Sequence, residues 1–219
     1  DPAYTLVQVS VNDLIMLDII ATNKWERPIY FTSPGAGLGF NDYLETDGLT
    51  YRLVPVRDPS KDRSSFASGN VNTAFMYDNL MKKFFFGGAD RPGTYFDETN
   101  RRMLMGIRGA YARLGIALAG EGKKDSALKA LNHADKMINV KNFPYAMVSN
   151  APSNIHNITS MQFALGYYLS GDAKKGNEIA GAVIRDCRQQ LEYYHSLPAS
   201  RAGAFADDEQ TSQAIIEQL

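Results

Sequence analysis

Residues 101–139 read RRMLMGIRGAYARLGIALAGEGKKDSALKALNHADKMIN, and this stretch decides the fold. Leu104, Ile107, Tyr111, Leu114 and Leu118 recur at spacings of three and four, so they share one face of a helix. Gly120, Glu121 and Gly122 break the pattern, as a helix stop and a tight turn do. Asp125 or a neighbour opens a second helix, striped by Leu128, Leu131, Ala134 and Ile138. Two amphipathic helices joined by so few residues pack antiparallel.

Side-chain size adds to the pattern. Tyr111, Leu114, Gly115 and Leu118 on the first helix, then Ala127, Leu131 and Ala134 on the second, resemble the tetratricopeptide (TPR) repeat. Small residues let the helices approach and large ones fill the space between them. The closing proline of such a repeat is absent at Asn139, and Pro144 arrives five residues late. An ordinary helical hairpin is the competing reading. Downstream, Met161, Leu165 and Tyr168 mark a third helix that stops at Gly171-Asp172, and Ile179, Val183, Cys187 and Leu191 line a fourth. Phe163, Ala164, Tyr167, Gly171 and Ala180 form a weaker copy of the first hairpin, and the connection between the copies, residues 140–154, is expected to be a packed loop. Residues 204–219 read as a last helix, polar enough to cap a stack.

Ahead of these helices the pattern is mixed. Residues 4–11 alternate as a strand does. Ser10 or Asn12 caps a helix through Leu14, Ile15, Leu17, Ile19 and Ile20 that is apolar on most sides, and such a helix is expected to be buried. A short strand follows Pro28, a position that suggests a strand start or an edge. Residues 33–39 form a glycine loop, 40–45 a short helix, 49–56 a second strand and 57–70 an exposed polar loop. Asn72 caps a helix running to Lys83, and Asp97 or Thr99 starts the long helix. The expected fold is mainly α (α+β): a small mixed α/β layer over residues 1–96, then TPR-like antiparallel hairpins over 97–219.

Composition narrows the function classes. With 44% hydrophobic and 21% charged residues, the 219-residue chain is that of a folded protein. A net charge of −1 provides no long-range attraction for nucleic acid or an anionic membrane. No apolar run approaches the roughly 18 to 20 residues a membrane span needs. Cys187 is the lone cysteine, so no internal disulfide forms. His133, His156 and His195 have no ligand-spaced partners, so no metal is expected. Gly35, Gly37 and Gly39 sit where a phosphate-binding turn would, but the spacing is GxGxG rather than GxGxxG. Asp13 with Asp18, and Asp97 with Glu98, are poorly disposed for acid–base work. No catalytic residue and no cofactor emerges.

Two aromatic clusters have alternative readings. Trp25 and Arg27 flank a helix-to-strand junction, either as a stacking platform for a planar ligand or sugar or as a core aromatic with a salt-bridging arginine. Phe84, Phe85 and Phe86 form either an adhesive patch or a buried helix end.

The segments NDLIMLDIIATNKWERPIYF, GLTYRLVPV, NTAFMYDNLMKKFFFGG and DETNRRM resemble the C-terminal soluble region of a bacterial family of multi-span membrane proteins, itself similar to protein O-mannosyltransferases. The resemblance covers roughly residues 5–140. It implies an extracytoplasmic, periplasmic domain cut from a membrane protein whose catalytic acids lie elsewhere. The chain's start at Asp1, without an initiator Met, fits an excised domain. The expected function is non-catalytic interaction or scaffolding with a protein, a peptide or the chain's own membrane domain. Trp25, Arg27, Arg101, Arg108 and Arg113 are the binding candidates. The alternatives are a carbohydrate-binding module using Trp25, Tyr30, Tyr51 and Tyr95, or a soluble enzyme holding a phosphate ligand on the glycine loop.

Overall fold

The computed structural model describes residues 10–33, 40–57, 70–148 and 154–219. They form a mainly helical α+β protein whose chain divides into two units, Asp1–Met76 and Tyr77–Leu219. Residues 4–9, the glycine loop from 34 to 39, and 58–69 of the polar loop lie outside the described residues, as do 149–153 of the long connection.

In the first unit, α1 spans Val11–Asn23. Ser10 caps it: its Oγ accepts from the Asp13 amide, and Asp13 Oδ2 accepts from the Ser10 amide at 2.8 Å. This reciprocal box satisfies amides left without partners at a helix start. Val11 is therefore helical, where a strand was expected. The expectation that α1 is buried is also corrected: no residue of α1 is buried, and Val11, Leu14, Ile15, Leu17 and Ile19 are 42–72% exposed. Only Asp13, Met16, Ile20 and Asn23 are partly covered, a stripe at spacings of three and four. The helix touches the rest of its unit along that narrow stripe, although its apolar residues surround the whole axis.

A small sheet follows, ordered β1-β3-β2-β4, with β1 Tyr30–Phe31, β2 Leu44–Thr46, β3 Tyr51–Leu53 and β4 Asn70–Val71. β3 pairs antiparallel with both β1 and β2, and β2 pairs parallel with β4. β1 is an edge strand, in keeping with Pro28 just before it. The expected helix over 40–45 is a 3-10 turn at Phe40–Tyr43 that gives way to β2. Leu44 and Thr46 are buried on one face with Glu45 between them on the other, a period of two that pairing with β3 stabilises. The expected strand over 49–56 is regular only at Tyr51–Leu53, because Gly48, with φ of 115°, and the Asp47 amide bonded to the Thr50 carbonyl form the turn before it.

α2 spans Thr73–Lys82, and the division between the units falls within it. Residues 77–96 go with the helices, so the division comes earlier than the expected boundary at 96. The physical reason is local: the Tyr111 hydroxyl donates to the Leu80 carbonyl, and the Asn139 amide donates to the Ala89 carbonyl. The phenylalanine run divides by side: Phe86 is buried against Tyr111 and His133, whereas Phe85 is 92% exposed.

The second unit is built from hairpins. α3 spans Glu98–Gly120, capped by Asp97, whose Oδ1 accepts from the Asn100 amide at 2.8 Å. Gly122, with φ of +77°, turns the chain into α4, Lys124–Met137. α5, Ile155–Ser170, turns through Gly171, with φ of +98°, into α6, Ala173–His195. A single turn, α7 (Ala199–Ala202), leads to α8, Ala206–Gln218. α3 packs on α4 and α5, α5 on α6, and α6 on α8. Leu131 of α4 sits at the crossing of the hairpins: a Cβ added at Gly115 would lie 2.8 Å from its side chain, and one added at Gly166 would lie 3.2 Å from it. At the other end, Ile215 of α8 closes a buried cluster with Val183 and Cys187.

Candidate functional site

The distinctive local geometry of the first unit lies where α1 ends. Lys24 and Trp25 are consecutive non-glycine residues with positive φ, 49° and 62°. That region costs an L-residue roughly 1–2 kcal/mol, and a bulky residue there is an outlier. Asn23 holds the turn. Its Nδ2 donates to the Arg27 carbonyl at 2.7 Å, its Oδ1 accepts from the Arg27 amide at 3.0 Å, and its own carbonyl accepts from the Glu26 amide at 2.9 Å. These bonds fold the chain sharply and set Trp25 at the mouth of a cavity.

The cavity holds about 270 Å³. Ile20 of α1, Trp25, Phe40 and Tyr43 of the 3-10 turn, and Leu53, Val54 and Pro55 at the end of β3 line it. Two backbone bonds fix its floor, from the Leu53 amide to the Ile29 carbonyl and from the Val54 amide to the Tyr43 carbonyl. Among the described residues, the lining is almost wholly apolar and carries no charged group. Trp25 is 49% exposed, so it is not the core aromatic of the second reading. Arg27 is exposed, and its backbone rather than its guanidinium makes the bonds described above.

In the hairpin unit, the three candidate arginines separate. Arg108 is 2% exposed and points inward. Its Nη2 and Nη1 donate to the carbonyls of Phe143 and Pro144 at 2.8 and 2.9 Å, and its guanidinium lies over the rings of Phe143 and Tyr145. Burial pulls its pKa down to about 10, which still leaves it charged at neutral pH. Its role is to tie the loop after α4 to α3. Arg101 and Arg113 remain partly exposed on α3.

The same loop carries polar contacts that spacing did not reveal. The Tyr145 hydroxyl donates to Asp135, Lys175 Nζ pairs with Asp135 at 3.0 Å and with Glu178 at 3.1 Å, and His156 Nε2 meets the Pro144 carbonyl at 3.0 Å. Asn157 and Gln190 each donate to Asp186 Oδ2 at 2.6 Å. These groups satisfy one another, which makes the region a structural latch. Leu165 is exposed together with Leu169, and the covered face of α5 runs through Phe163, Ala164 and Tyr167 of the weaker hairpin copy. Tyr95 is exposed, far along the chain from Trp25 and Tyr30.

Among the described residues, no group of three or more His, Cys, Asp and Glu is placed to hold a metal. No helix among them is long and apolar enough to cross a membrane.

Residues 3–75 match the family model described as TMEM260-associated domain 2. The match nearly coincides with the first unit, Asp1–Met76, and so contains α1, Trp25 and the cavity. It links the TMEM260-associated segment to a family of membrane proteins. No curated protein and no solved structure matches the chain.

Proposed function

We propose that this chain is a non-catalytic interaction domain of a membrane-associated protein, and that its TMEM260-associated unit docks on a membrane-protein partner, or on the membrane domain of its own parent, through α1. The observation that carries this is the uncovered apolar surface of α1. A helix apolar all round belongs in an interior, yet Leu14, Ile15, Leu17 and Ile19 face outward. Direct insertion into a lipid surface fits less well. Interfacial helices carry Lys and Arg on their polar face, whereas α1 carries Asp13 and Asp18 and no basic residue.

In this role the parent is a glycosyltransferase-like membrane protein related to protein O-mannosyltransferases, with the domain on its extracytoplasmic face. The hairpin unit acts as a TPR-like stack that offers a second surface to a protein or peptide, with Arg101 and Arg113 at its edge. A carbohydrate-binding role has one observation in its favour, the half-exposed Trp25. A glycan titration followed by Trp25 fluorescence tests it, and an unchanged signal removes it.

A photo-crosslinking amino acid placed at Leu17 in the full-length protein, expressed in its own cells, tests the docking role. Crosslinks to a membrane protein or to the parent's own membrane domain are expected. Crosslinks only to lipid, or none, overturn it.

A further inference from the structure

We infer that α8 is a detachable cover. The groove it occupies on α5 and α6 is a helix-binding site, held by the chain's own α8 until a partner helix of the same pattern displaces it. That pattern is a small polar residue followed three positions on by an aliphatic one, as in Ser212 and Ile215. The inference rests on the reading of the hairpin unit as a second binding surface, and it names the site and its gate.

The occupant shows what the groove takes. Ile215 joins Val183 and Cys187 of α6 in one buried cluster, with Ile158 and Met161 of α5 packed against it. Ser212 lies one turn earlier on the same face of α8, at the polar end of the groove. There its hydroxyl donates to Gln190 Oε1 at 3.4 Å and accepts from Asn154 Nδ2 at 3.5 Å. An amphipathic helix laid into a groove by anchors at this spacing is a recurring mode of peptide recognition.

The hold on α8 is weak, and its departure leaves a finished surface. Of its 13 residues only Ser212 and Ile215 are buried. Both Ser212 bonds are longer than the roughly 3 Å of a well-formed bond. His195 and Glu209 meet at 2.8 Å, but largely in solvent, where such a pair contributes little. Without Ser212, Asn154 Nδ2 still donates to Gln190 Oε1 at 3.1 Å, and Gln190 and Asn157 still donate to Asp186. Among the described residues, opening therefore strands none of these polar groups of the groove. Elements with few buried apolar contacts open locally, well below the cost of global unfolding. The Phe205 ring, stacked on Tyr194 at 5.3 Å, supplies a pivot one residue before α8 begins. Tethered there, α8 competes at an effective concentration of about millimolar, so a free helix enters only by binding better or once α8 is weakened.

Cys187 is the only cysteine and is buried with Ile215, so its labelling by an uncharged disulfide reports opening of the cover. In the intact 219-residue chain, labelling is expected to outpace global unfolding and to change little with low urea. Ile215→Ala should speed it about 30-fold or more, whereas Leu131→Ala, which loosens the hairpin crossing, should leave it unchanged. A rate that tracks global unfolding and rises alike in both variants overturns the inference. A fluorescent peptide of residues 204–219 reads the groove. Ile215→Asp expels α8, so that chain should bind the peptide saturably and at least about tenfold tighter than the parent chain does. The peptide carrying the same substitution should not bind. Should circular dichroism show the Ile215→Asp chain unfolded, Ile215→Ala serves as the acceptor. A folded acceptor that takes up no peptide also overturns the inference. Crosslinks from Arg113 to a protein, with Cys187 labelled only on global unfolding, sink the cover and leave the hairpin unit standing as a binding surface.

Discussion

Arg108 Nη2 donates to the Phe143 carbonyl at 2.8 Å while the guanidinium carbon lies 4.5 Å from the centroid of the same residue's ring. One buried cation thus holds both the backbone and the side chain of the loop that joins the two hairpins. Arg108→Met leaves the Phe143 carbonyl without its donor and the Pro144 carbonyl with His156 alone, and the expected loss is about 3 kcal/mol. Arg108→Lys keeps the charge but cannot reproduce the planar fork, so it should lose roughly half as much. Urea unfolding of both variants checks this. A loss for Met below about 1 kcal/mol would mean that the loop is held by Phe143 and Tyr145 alone.

His156 is buried under that loop, and its pKa is pushed down to about 4, chiefly by burial and next by the nearby Arg108 cation, with the Pro144 carbonyl opposing. The unfolded chain takes up a proton near pH 6.5 while the folded chain does not until about pH 4. Stability is therefore full above about 6.5 and falls as pH drops toward 4, by about 3 kcal/mol for this group. His156→Gln should flatten that part of the stability–pH curve. Parallel curves for the two proteins would show that His156 contributes nothing to it.

Asp47 has the opposite sign. It is buried at the β2–β3 turn, and among the described residues neither carboxylate oxygen has a hydrogen-bond partner. Burial raises its pKa, against the pull of Arg52, whose Nη1 is 4.0 Å away. A raised carboxyl pKa destabilises the fold where the group is ionised, and the penalty fades as pH falls through the folded value. Asp47→Asn should raise the unfolding midpoint at pH 7 and leave it unchanged near pH 3. A lower midpoint at pH 7 would show that the charge has a stabilising partner.

The hairpins were legible in the sequence because burial follows their period. Leu104, Ile107, Tyr111, Leu114 and Leu118 lie inside, as their spacing predicts, and the turns at Gly122 and Gly171 fall where the glycines stand. Arg108 escaped because composition treats a charged residue as surface, and only the fold brings the Phe143 and Pro144 carbonyls to it. α1 misled for the reverse reason: an apolar sequence states that a face needs covering but does not say what covers it. The cavity was half legible, since Trp25 stood out, but its walls come from three separate segments that no local pattern joins.

The contact between Gly115 and Leu131 allows a thermodynamic cycle. Gly115→Ala should cost about 1–3 kcal/mol by overpacking, since its new methyl would lie 2.8 Å from Leu131. Leu131→Ala should cost about 2–5 kcal/mol by opening a cavity. The double variant should be less destabilised than the sum by about 1 kcal/mol or more, because the added methyl fills part of the vacated space. Strict additivity would mean that the helices move apart instead of repacking.

The turn after α1 sets stability against presentation of Trp25. Lys24 is the residue that ends α1 in the left-handed region, where glycine is the ordinary choice. Lys24→Gly should raise stability by about 1 kcal/mol by removing the Cβ clash. Trp25→Gly should relieve its own backbone too, but it also removes a wall of the cavity and one side of the pocket. The two variants therefore separate the roles. Lys24→Gly is expected to melt higher and keep the Trp25 emission of the parent chain. Trp25→Gly is expected to melt no lower than the parent chain yet lose crosslinking efficiency from Leu17. If Lys24→Gly melts lower, the left-handed turn is not a cost to the fold.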